Sequence, residues 1–265
     1  MKTAIWYAIA LLLASCGARR HVAAPLSEIE GDTVDISFRA ERSALPIYIH
    51  KDNLYLLGEE GIEYGICLRN QAPVRIEAVV SVDGRDAVSG RVADYRTDRG
   101  YVLEPQEETC IRGFRESTES VAAFTFTSVE QSYAARMGTA ENVGVIGIAV
   151  FDEASAPQPP QVIARDEDAR MYSKSAPTAE ADGARIEEEG AEIGTEYGRS
   201  VASQVEIIPF VRRDPERPRE LRAVFYDNRE GLESRGIRVS DGDRPSPEPN
   251  PFPGSESGFA PPPHR

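Results

Sequence analysis

The chain has 265 residues, a formal net charge of −14 and 40% hydrophobic residues. A surface this acidic excludes nucleic-acid binding through phosphates, which needs basic patches. Of three histidines (His21, His50, His264) only His50 falls in a segment expected to fold, and HExxH and CxxC spacings are absent, so no metal site and no cofactor is indicated.

In chain order, Lys2 precedes an apolar run, Ala4–Leu13, about half the roughly 20 residues a spanning helix needs. Leu13-Ala14-Ser15-Cys16-Gly17 then sets small residues directly before a cysteine. This is the build of a secretory signal, and its end resembles the lipobox of bacterial lipoproteins. The resemblance implies cleavage between Ser15 and Cys16, a diacylglyceryl group on the Cys16 sulfur and an acylated Cys16 amino group. Two or three acyl chains hold a protein durably at a bilayer, at about 0.8 kcal/mol per buried methylene. The implied location is the bacterial cell envelope, with the membrane as first partner. By the same analogy, Gly17 in place of aspartate implies the outer membrane.

Residues 17–32 read as a tether. From Thr33 the pattern is that of strands. Val34, Ile36 and Phe38 alternate with Asp35, Ser37 and Arg39, the period-two signature of a half-buried strand. Pro46–His50 and Leu54–Leu57 are shorter candidates. Glu59-Glu60-Gly61 turns into 62–69, where Ile62, Tyr64, Ile66 and Leu68 share a face. Val74–Val82 ends at Asp83-Gly84, a type I′ hairpin signal. Tyr101–Leu103, Thr109–Phe114 and Val121–Thr127 continue the series. Asn142–Phe151 is apolar and β-branched enough to be a central strand buried on both faces. Ser128–Arg136 breaks the pattern and reads as one short helix with Ser128 as N-cap. Strands at intervals of about ten residues point to an all-β fold, an antiparallel β-sandwich over residues 33–152.

Residues 153–192, rich in proline and acids, read as a disordered insertion. Val201–Val211 and Leu221–Tyr226 read as a β-hairpin within 193–240 that completes the sandwich. Residues 241–265 read as a proline-rich disordered tail. With Cys16 lipidated, Cys67 and Cys110 are left either to pair or to sit as separate buried thiols; a disulfide closing that loop would stabilise the fold by about 4 kcal/mol. Spacing does not decide between the two.

Nothing in the chain spells an enzyme. The G-x-S-x-G elbow is absent. The acid pairs Glu59/Glu60, Glu107/Glu108, Asp152/Glu153 and Asp166/Asp168 are neighbours or near-neighbours, and adjacent strand residues point to opposite faces. His50, after Ile47, Tyr48 and Ile49, reads as a strand-end residue. Gly190, Gly194 and Gly198 read as turn or bulge glycines. Tyr95, Tyr101 and Tyr197 are the aromatics available for a sugar platform. Gly100–Leu103, Ser132–Arg136 and Asn142–Gly147 are similar to a group of uncharacterised bacterial envelope proteins over roughly residues 50–151, a resemblance that carries no activity. The expectation is a lipid-anchored, non-enzymatic binding or scaffolding module docking an envelope protein partner, without nucleic acid. A hydrolytic or carbohydrate-active protein using loop carboxylates, and a structural lipoprotein with no dedicated ligand, are the alternatives.

Overall fold

A computed structural model describes residues 24–41, 43–154 and 190–239. Among these, fourteen strands and two short helices follow in order: β1 (Val34–Ala40), β2 (Ser43–Ala44), β3 (Ile47–His50), β4 (Asn53–Leu57), β5 (Glu63–Asn70), β6 (Ile76–Val82), β7 (Arg85–Asp86), β8 (Tyr101–Leu103), β9 (Glu108–Ile111), β10 (Gly113–Arg115), β11 (Ser120–Ser128), α1 (Tyr133–Arg136), β12 (Val145–Asp152), β13 (Ile193–Ala202), β14 (Glu220–Asp227) and α2 (Arg229–Ser234). They form two sheets. The first runs β10-β11-β5-β1-β2, with β13 also on β11 and β9 on β5; the second runs β3-β4-β14-β12-β6-β7, with β8 on β6. The fold is an all-β sandwich.

Period-two alternation builds the core. Ile36, Phe38, Ile66, Leu68, Phe124 and Phe126 of the first sheet are fully buried, and so are Ile146, Ile148, Val150 and Val224 of the second. Each such side chain contributes about 1.5–3 kcal/mol on leaving water. Strand β12 is central, between β14 and β6. Its outward-facing Ala149 and Phe151 are buried as well, under Tyr95, so this strand is covered on both faces. The β6–β7 hairpin turns at Asp83 and Gly84, with φ of 54° and 71°, the positive values a type I′ turn requires.

Several expectations are corrected. The tether ends earlier than residue 32. Leu26 bridges Ile47, and Ile29 bridges Ile36 with its side chain buried in the main core cluster. The helix expected at Ser128–Arg136 divides into a 3₁₀ turn, Val129–Gln131, and α1, whose N-cap is Ser132: its Oγ accepts from Ala135 N–H at 3.1 Å. A second helix, α2, follows the Asn228 cap, whose side chain accepts from Gly231 N–H. One strand pair, β4 with β14, is parallel in an otherwise antiparallel sandwich. The hairpin within 193–240 does not form. Strand β13 joins β11 in the first sheet, and β14 joins β12 and β4 in the second. β13 also begins earlier than Val201, at Ile193, and residues 203–211 are not a strand. The insertion over 155–189 and the tail over 241–265 lie outside the described residues, as do Asp166 and Asp168.

Candidate binding groove

Between β13 and β14 the chain crosses from one sheet to the other as an extended arm. Its first end is fastened by Ser203 N–H to Glu119 O and Val205 N–H to Thr118 O, at 2.8 and 2.9 Å. At the far end Ala154 N–H donates to Val211 O, and Arg213 N–H to Asp152 O. Among the described residues, 206–210 have no backbone–backbone hydrogen bond. Pro209 contributes, because it lacks an N–H and disfavours a ladder. The arm is nevertheless apolar: Ile207, Ile208 and Val211 are 76%, 40% and 67% exposed.

Two arginines hold the arm in place. Arg212 lies against the Phe151 ring at 3.9 Å and is nearly buried. Its Nε donates to Glu77 Oε2 at 2.6 Å, and its Nη1 to Tyr95 O at 2.6 Å. The other Glu77 oxygen accepts from Gly100 N–H, which sets the start of β8. Arg115 Nη1 donates to Ser203 O at 2.6 Å, and its Nη2 to the Tyr101 hydroxyl at 3.2 Å. Burial raises the Tyr101 phenol above its usual pKa, and the Arg115 hydrogen bond opposes that rise.

Arm and β8 thus stand apart as two walls of a groove of about 690 Å³, lined by Val88, Tyr101, Val102, Arg115, Ile207 and Phe210 among others. That lies within the range of small-ligand and peptide sites. β8 pairs only with β6 among the described residues, so one of its edges is open. Arg99 adds an exposed guanidinium. Chemically, the groove offers apolar walls, cationic donors and two lengths of backbone without a ladder partner on the groove side among the described residues, which suits an extended segment of chain.

No family model, curated protein or solved structure matches this chain.

The remaining sequence candidates scatter. Cys67 and Cys110 lie opposite each other on β5 and β9 and are joined by a disulfide, with Cα atoms 4.0 Å apart. Glu108, beside them, bridges Arg39 and Arg69 at 2.8 and 2.7 Å. His50 ends β3, edge-on to Tyr55, and its buried Nε2 has no hydrogen-bond partner among the described residues. Glu59 and Glu60 rim a second cavity of about 420 Å³ with Leu45, Leu57 and Ile62. Asp152 is engaged by Arg213 and Arg219. Tyr95 packs on Phe151, and Tyr197 on Phe114 and Tyr133. Gly198 faces Ala123 O at the irregularity between β11 and β13, where a Cβ would come within 2.6 Å. Gly194 lies inside β13, and Gly190 precedes it. Ser15 and Cys16 lie outside the described residues.

Two features have no local signal in the sequence. One is Arg212, whose role depends on carbonyls more than 100 residues away. The other is Asp83, read above as a turn residue. Its side chain is fully buried and accepts from Tyr226 Oη at 2.6 Å, Thr195 N–H at 2.8 Å and Gly144 N–H at 2.9 Å. Tyr226 spends its proton on Asp83, so Thr195 Oγ1 must donate to Tyr226, and Tyr64 to Thr195, at 2.8 and 2.7 Å. The resulting chain of hydroxyls ties the first sheet to the second. Burial pushes the Asp83 carboxyl up to about 6, with the hydrogen bonds resisting. The one forward signal was the exposed apolar run Ile207-Ile208-Pro209-Phe210-Val211, which the sequence alone assigned to a strand.

Proposed function

We propose that this chain is a lipid-anchored protein of the bacterial cell envelope, moored by acyl chains on Cys16, and that it acts as a non-enzymatic binding module. Its contact surface is the groove between β8 and the arm, and its partner is an extended segment of another envelope protein. The observation that carries this reading is the five-residue stretch of apolar arm, 206–210, without backbone–backbone partners among the described residues. It faces the open edge of β8 across a groove of about 690 Å³. Strand addition supplies affinity through main-chain hydrogen bonds and specificity through side-chain pockets. Such a groove needs a rigid frame, and Arg115 and Arg212 supply one.

The test is photo-crosslinking in intact cells from a benzophenone residue placed at Val102 or Ile207, with Ala223 on another face as control. One reproducible partner from both groove positions, lost when Ile208→Asp is added, is expected. Equal crosslinking from Ala223, or none from the groove, overturns the assignment. The anchor is tested separately: Cys16→Ala should move the protein out of the membrane fraction.

A further inference from the structure

Because Leu26 is pinned to Ile47, the path from a lipidated Cys16 to the folded body is short. Leu26 N–H donates to Ile47 O at 2.7 Å, and Ile47 N–H to Leu26 O at 2.9 Å. The pinned Leu26 is ten residues beyond Cys16. Ten residues span at most about 35 Å when fully extended. A compact body of about 180 residues is roughly 40 Å across. The far side of the molecule therefore cannot meet the bilayer, whereas the edge where the chain emerges can do so at any extension.

That edge is β3, the outermost strand of the second sheet. Ile49 on this strand is 64% exposed, and Leu26, bridged to the strand at Ile47, is 38% exposed. Leu26 is opposite Ile47 and so diagonal to Ile49, a spacing of about 7–8 Å on one sheet face. The hairpin that follows ends in Lys51 and Asp52, both exposed and both at positive φ, so it projects as a tight tip. Lys51 is the one lysine among the described residues of an otherwise arginine-dominated chain.

We infer that the β3 edge, through Leu26, Ile49 and the Lys51 tip, rests on the surface of the bilayer that holds the acyl chains. This deepens the anchoring reading above and rests on it. The contact itself is small. The tether makes it intramolecular, with an effective concentration in the millimolar range for short linkers. Leu26 and Ile49 supply its apolar part, and Lys51 supplies one cation at headgroup level, while the chain as a whole, at charge −14, is not drawn to anionic lipid. The orientation has a consequence for the groove. From β3 to β8 the second sheet is five strand spacings wide, about 24 Å. The groove thus points away from the lipid, where a partner can approach it.

The experiment uses the lipidated full chain in vesicles of phosphatidylethanolamine and phosphatidylglycerol. A diazirine photo-crosslinker is placed at Ile49 in one sample and at Ile207 in another. Lipid adducts are expected from Ile49 at roughly tenfold or more the yield from Ile207. Amide exchange in 47–53 should slow at least roughly threefold relative to the same protein in detergent, and Ile49→Glu should abolish that slowing while leaving membrane retention intact. Adducts at Ile207 equal to those at Ile49, or no adduct at either with the acyl mass still present on the Cys16 peptide, overturn the inference and spare the anchor. Absence of the acyl mass overturns the anchor itself.

Discussion

Asp83 shows how much one side chain can do in this sandwich. It occupies a hairpin turn, accepts from three donors on three segments, and has no solvent contact. Its pKa of about 6 in the fold stands above the 3.8 of an exposed aspartate. The folded state therefore binds this proton more tightly than the unfolded chain does. Stability from this source is fully present below about pH 4 and is lost as pH rises through about 6, a change of about 3 kcal/mol. Asp86 and Asp227, also raised by burial, act in the same direction, so the variant must be compared with the parent rather than with a flat line. In urea unfolding at pH 4 and pH 7, Asp83→Asn should reduce the parent's loss of stability over that interval; identical losses would refute the assignment. Arg212 is the second residue on which neighbouring structure depends. Arg212→Ala leaves Glu77 buried and unpaired, which costs about 3–5 kcal/mol. Arg212→Met with Glu77→Gln should cost less than the single change, because no charge is then stranded; the double-mutant cycle reads this directly.

At the scale of elements, most strands were legible and their partners were not. In Val34–Ala40 and Glu63–Asn70 the large apolar side chains recur at every second residue, so their core-facing side follows from period two, although Gly65 and Cys67 on the other side of β5 are buried as well. The Asp83-Gly84 turn was legible for a similar reason, since few residue pairs tolerate positive φ in succession. The arm was misread because Val201–Val211 has a strand's composition. Composition records that a segment prefers extension, not whether a neighbour lies within hydrogen-bonding distance. The arm is instead tied down at its two ends, by Arg115 on the Ser203 carbonyl and by Arg212 on Glu77 and the Tyr95 carbonyl, and its middle finds no ladder partner among the described residues. Groove and arm were thus invisible as a site, although every residue of both was in view. The disulfide sits between these cases: Cys67 and Cys110 were identified as the available pair, and the β5–β9 register places them opposite each other. Reducing that bond should lower stability by about 4 kcal/mol for a closed loop of this size. Urea midpoints with and without dithiothreitol measure it, and Cys67→Ala/Cys110→Ala should reproduce the reduced value in both conditions.

For the whole molecule, the division of labour follows from the range of each interaction. Steric preference, solvent partition and turn chemistry act over a few residues, so the strand content of the body, the apolar faces of the long strands and the position of the tight hairpin are all written locally. The Leu13-Ala14-Ser15-Cys16 run on which the anchoring proposal rests is likewise a local pattern, read without any fold. Sheet assignment is a matter of long-range geometry. β13 and β14 are separated by fewer than 20 residues yet lie in different sheets, because β11 and β12 each had an edge to fill. The tertiary structure alone decided that Ile29 closes the core and shortens the tether, that Asp83 joins the sheets through Tyr226, Thr195 and Tyr64, and that an apolar arm is held away from β8 to leave a groove. The Asp83 network and the groove depend on atoms brought together from positions tens to more than a hundred residues apart, and no local preference encodes that proximity.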